Sequence, residues 1–129
     1  MFRRINPKNL NMNVKSDIEG RVDVKLLVDG FYDKVRSDPF LQSVFSHVDW
    51  PAHLPVMYDF WSSMLLGDQS YRGNPFQKHL PLDLTSAHFE RWLSLFHQTV
   101  DEIFSGQNAQ DLKMRSIGIA EVWKHKMKL

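Results

Sequence analysis

The chain has 129 residues, enough for one domain that buries its own core without covalent staples. Hydrophobic residues make up 43% and charged residues 24%, the balance of a globular chain and not of a disordered one. Sixteen basic residues nearly cancel 15 acidic ones, which argues against a nucleic-acid or anionic-membrane partner, and the lack of cysteine excludes disulfides, thiolate zinc sites, iron–sulfur clusters and Cys nucleophiles.

Residues 1–15 show no clear period and read as a loose arm, with residues 16–129 as a single domain. The start, Met1-Phe2-Arg3-Arg4-Ile5-Asn6, lacks an apolar run fit for a signal peptide. No run approaches membrane-spanning length, so a cytoplasmic location is expected. Ser16 and Glu19 have capping-box spacing and predict a short helix after Ser16. No stretch sustains period-two alternation and there is no hairpin turn, so the expected fold class is all-α.

The first strong helix is expected from about Asp23 to Ser37, with Val24, Leu27, Val28, Phe31 and Val35 as its apolar stripe. Gly30 sits inside it at a cost of roughly 1 kcal/mol relative to Ala, which a close approach by a crossing helix would explain. Asp38-Pro39 reads as the cap and first position of a short helix ending near Phe45. A second helix lies within about Asp49 to Leu66, where Pro51 suits the first turn and Pro55 predicts an irregular start or a kink. His53, Met57, Phe60 and Met64 share one of its faces, joined by Trp50, Val56 and Trp61. Gly67 reads as its stop.

The third helix begins at Thr85, with Leu84 and Phe89 spaced as a hydrophobic staple. Phe89, Trp92, Leu93, Phe96, Val100, Ile103 and Phe104 form a stripe roughly 120° wide, and Gly106 is expected to end it. The last helix, from about Ala109 to Lys126, should bury Leu112, Ile117, Ala120 and Trp123. The segment 67–84 between the helix pairs is long for a compact domain, and loops of that length usually carry function. Within it, Gly73-Asn74-Pro75 restarts the chain as one turn of helix that presents His79 before Pro81.

Neutral imidazole is the commonest protein ligand for a metal, and haem iron often takes one His. His53 is polar yet lies on an apolar stripe. Trp92 carries an indole N–H that wants a partner when buried, and Tyr32 flanks the stripe of the first helix. Each alone reads as an ordinary core residue, and His47, His88, His97 and His125 read as surface groups. Taken together, three donors on three helices and a His in a long loop fit a haem pocket. Without a C-x-x-C-H pattern the haem would be held non-covalently.

The order of pieces resembles the truncated haemoglobins, specifically their group III branch. The matching pieces are Phe31-Tyr32-x-x-Val35, Phe45, Trp50-x-x-His53, Phe60-Trp61-x-x-Met64-Leu65-Leu66-Gly67, Tyr71-x-Gly73-x-Pro75-x-x-x-His79-Leu80 and Phe89-x-x-Trp92-Leu93-x-Leu95-Phe96. They span about residues 20 to 125, and the run from Phe60 to His79 is the most specific. The resemblance implies a two-over-two helical sandwich, the truncated globin fold, holding haem b. It makes His79 the proximal iron ligand and Tyr32, Trp92 and His53 the distal set. Phe45 becomes the aromatic beside the haem and Met57 the apolar group over the iron, one turn after His53. Phe60, Trp61, Phe76 and Phe96 are expected to line the pocket, and Arg72 and Lys78 to meet the propionates. Pro55 departs from the pattern and bears on whether His53 points inward or swings out.

The implied activity is reversible binding of dioxygen and other diatomic ligands, nitric oxide and carbon monoxide. Nitric-oxide dioxygenase or peroxidase-like chemistry, served by a reductase, is the enzymatic version. The rival is a haem-free helical scaffold or interaction domain with incidental histidines. The absence of a phosphate loop or nucleophile motif argues against kinases and hydrolases.

Overall fold

Helix α1 (Arg21–Ser37) buries Val24, Leu27, Val28, Phe31, Tyr32 and Val35, the predicted stripe plus Tyr32. The computed structural model describes residues 15–46, 48–67 and 84–129. Three more helices follow: α2 (Trp50–Leu66), α3 (Ser86–Ile103) and α4 (Gln107–Lys126). Among the described residues there is no strand. α1 packs against α2 and against α3, and α3 packs against α4, so one helix pair lies over the other. Gly30 marks the α1–α3 crossing: a Cβ there would sit 3.4 Å from Thr99 Cγ2 and 3.7 Å from Ile103 Cδ1. No described helix is long and apolar enough to cross a membrane.

Local chemistry sets most helix ends. The Asp49 carboxylate accepts from Ala52 N at the start of α2, with Pro51 in the first turn. Pro55 leaves α2 continuous, and Gly67 closes it in the left-handed region at φ 70°. Thr85 caps α3: its hydroxyl accepts from His88 N, while His88 Nδ1 accepts from Thr85 N at 2.9 Å. That is a capping box with His in place of the usual Glu or Gln.

Four local expectations need correction. No helix forms after Ser16. Residues 15–19 are instead tied to the far end of the fold, where Ser105 N donates to Ser16 O and Asp17 holds the start of α4. α1 therefore begins at Arg21, with the Asp23 carboxylate accepting from Glu19 N and Gly20 N. The stretch after Asp38 is a run of hydrogen-bonded turns through Ser46, because bonds to the fourth residue back alternate with bonds to the third.

Gly106 does not end α3, which closes at Phe104. It is the N-cap of α4 at φ 142°, and its missing Cβ leaves room for the Asp17 carboxylate. Asp17 Oδ2 accepts from Asn108 N and Oδ1 from Ala109 N, both at 2.9 Å. Burial raises the Asp17 pKa, but these backbone N–H groups outweigh it and hold the carboxyl below its usual value. Ile117 was expected inside and is 37% exposed, whereas Ser116 beside it is buried.

Candidate functional site

Tyr32 from α1 is 3% exposed and is packed on three sides by aromatic rings. Phe31, Trp50 and His53 lie with ring centroids 4.8, 5.1 and 5.7 Å from it. His53 also meets Trp50 edge-on at 5.6 Å. The half-buried His53 ring therefore sits inside the aromatic cluster, and Pro55 two residues on has not turned it to solvent. Burial pushes the Tyr32 phenol well above its ordinary pKa, so it stays protonated and able to donate.

Trp92, from the first half of α3, meets Phe31 edge-to-face at 5.4 Å. Tyr32 and Trp92 thus reach the same ring from different helices. Phe96 and Trp61 stack behind Trp92, at 5.6 and 6.3 Å. Phe96 is fully buried and Trp61 only 2% exposed, so both belong to the layer that backs Trp92. Met57 is buried and Phe60 half-buried on α2.

A small apolar cleft, partly open to solvent, adjoins this cluster and shares Trp92 with it. Leu41 and Phe45 line it from the turn segment, Leu84, His88, Phe89 and Trp92 from α3 and its entry, and Ala120 and Trp123 from α4. Leu84 and Phe89, which have staple spacing, both line it. Asp38 holds the turn segment in place. Its Oδ2 accepts from Phe40 N and Leu41 N, and its Oδ1 accepts from Arg91 Nε at 2.7 Å. The Arg91 guanidinium holds this buried carboxyl below the usual carboxylate range, helped by the backbone donors and opposed by burial. One ion pair therefore ties the segment bearing Phe45 to the helix bearing Trp92.

A family profile described as bacterial-like globin matches residues 13–126. The chain is 30% identical over 114 residues to the group 3 truncated haemoglobin ctb of Campylobacter jejuni, covering 83% of this chain and 90% of that one. The chain belongs to the bacterial-like globins, in the group III truncated haemoglobin branch. The crystal structure of group III truncated haemoglobin from the same organism superposes with a TM-score of 0.80 at 29% identity, covering 88% of this chain and 94% of that chain. The fold is thus the truncated globin sandwich, and membership implies haem-based ligand binding in general.

The described residues of this globin fit a haem on chemical grounds. The cavity is walled by Phe45, Phe89, Trp92 and Trp123, flat apolar faces of the kind a porphyrin needs. The neighbouring cluster holds a buried phenol kept in its donor form. His79, Phe76, Arg72 and Lys78 lie outside the described residues, as do the arm at residues 1–14 and His47.

Two of the residues read as surface histidines are not. His88 is half-buried, stacks on Phe40 at 4.4 Å and lines the cavity. With Nδ1 taken by Thr85 N, its proton sits on Nε2. His97 lies between α3 and α4, with Nε2 3.2 Å from Lys113 O and 3.1 Å from Ser116 Oγ, and desolvation lowers its pKa. His125 is exposed, as expected. The Thr-x-x-His spacing at Thr85 was the available signal for His88. Arg91 had none, since its partner lies 53 residues away.

Proposed function

We propose that this globin holds haem b non-covalently and reversibly binds dioxygen, with nitric oxide and carbon monoxide as further diatomic ligands. The observation that carries the proposal is the aromatic cluster in which Phe31 joins Tyr32 and its neighbour His53 to Trp92, the residue that also lines the adjoining aromatic cleft. The haem, when bound, supplies an iron that takes a diatomic ligand. His79 is its protein ligand in this proposal, with Arg72 and Lys78 toward the propionates.

The remaining work falls to the chain's own side chains. Tyr32 donates a hydrogen bond from a phenol that burial keeps protonated. Trp92 has a donor-only indole N–H. His53 adds a third donor at the edge of the Tyr32 ring. Charge-assisted bonds to a partly negative ligand are worth about 1.5–3 kcal/mol each. Phe45, Met57 and Phe60 keep water from that space, which strengthens those bonds. The same donors hold a ligand long enough for redox turnover where a cytoplasmic reductase supplies electrons.

The test is spectroscopic. Protein expressed with haem available, or reconstituted with hemin, should show a Soret band that shifts when carbon monoxide is added after reduction. Protein that takes up no haem in stoichiometric amount, with its helices intact, would return the chain to the haem-free scaffold reading.

A further inference from the structure

Tyr58 on α2 donates its phenolic hydrogen bond to Asp29 Oδ1 on α1. Phenol–carboxylate pairs of this kind have a particular chemical use. Oxidising a phenol raises its acidity greatly, so an electron leaves easily only when a base stands ready to take the proton at the same moment. Asp29 is that base. Lys25 reinforces the coupling: its Nζ stands 5.7 Å from the Tyr58 ring centroid and disfavours a positive charge left on the ring. The resting phenol is firmly protonated, its pKa pushed up to about 12 by burial and by Asp29.

Tyr58 is also connected to the interior. Trp61 lies one helical turn on, and side chains three apart on a helix are neighbours at about 5–6 Å between Cβ atoms. Trp61 stacks on Trp92 at 6.3 Å and 24°, and Trp92 lines the cavity. The Trp61 Nε1–H is buried and has no acceptor among the described residues. A hole on Trp61 therefore cannot be trapped by proton loss and passes on. Tyr32 has no carboxylate partner among the described residues, so its phenol makes a poor resting place.

We propose that Tyr58 is a one-electron redox site. When a peroxide oxidises the haem, Tyr58 gives an electron inward through Trp61 and Trp92 and its proton to Asp29, leaving a neutral tyrosyl radical. Hydrogen peroxide takes two electrons and two solvent protons to give two waters. Ferric iron supplies one electron and Tyr58 the other. Asp29 becomes a neutral acid. Because Tyr58 is only half-buried, a small phenolic or enediol reductant returns the electron at the surface, and Asp29 returns the proton.

This inference rests on the haem binding proposed above, and the experiment separates the two. Ferric haem-loaded protein is mixed with one equivalent of hydrogen peroxide and freeze-quenched for electron paramagnetic resonance. A tyrosyl signal that narrows when the tyrosines are ring-deuterated is expected. Tyr58→Phe should lose it with an unchanged Soret band. Asp29→Asn keeps the ring but removes the base, and Trp61→Phe removes the relay; both should delay and diminish the signal. An undiminished tyrosyl signal in Tyr58→Phe, a tryptophan radical in the wild type, or no protein radical at all overturns the assignment. Failure to load haem overturns the earlier proposal instead, and shows in the absorption spectrum before any peroxide is added.

Discussion

Replacing Tyr32 by Phe removes one hydroxyl and keeps the ring. The packing on Phe31, Trp50 and His53 involves ring faces and edges, so it survives. The side chain is 3% exposed and keeps its ring contacts, so loss of the hydroxyl should change folding stability by no more than about 1 kcal/mol. Ligand release should respond far more. A charge-assisted hydrogen bond to bound dioxygen is worth about 1.5–3 kcal/mol, and each 1.4 kcal/mol is about ten-fold, so the dioxygen off-rate should rise roughly ten- to hundred-fold. Carbon monoxide carries far less charge on its outer atom and should be released at nearly the wild-type rate. Stopped-flow displacement of each ligand measures both rates on the same protein. Equal acceleration of the two ligands would point to a loosened pocket and refute the donor role.

Other expectations reach the remaining parts of the molecule. His79→Ala should lose haem retention, since it deletes the strong protein–iron bond of the proposal, and a normal Soret band at full occupancy would count against it. His53→Leu should raise the dioxygen off-rate less than Tyr32→Phe does; a larger effect would reverse the order of the donors. Asp17→Ala strips two backbone donors of α4 of their acceptor and should cost about 1–2 kcal/mol in urea unfolding; no change would mean that α4 is capped otherwise. Asp38 has a folded pKa below its unfolded value, so its contribution is complete above the unfolded value, about pH 4, and is lost as pH falls through the folded one. Asp38→Asn should therefore be less stable near neutrality and show a shallower acid loss; parallel stability–pH curves would refute the ion pair's role.

Period and punctuation alone placed the four helices. The α1 stripe, the start at Thr85 and the Gly67 stop are local features, each decided within a turn or two of chain, and all appear where the residues put them. The same periodicity set Tyr32, His53 and Trp92 on inward faces of three helices. It could not say which inward residues would meet.

The turns after Asp38, the cap at Gly106 and the exposure of Ile117 depended on what other elements did nearby. Asp17 caps a helix whose first turn is more than 90 residues away, Arg91 reaches across 53 residues to Asp38, and Tyr58 finds Asp29 on a neighbouring helix. No local pattern encodes such pairs, because a carboxylate on a polar face looks the same whether it meets water or a partner. Only the tertiary packing brings such partners within hydrogen-bond reach. Packing therefore made residues 16–19, expected to start a short helix, part of a clamp, and a histidine read as surface a wall of the cavity.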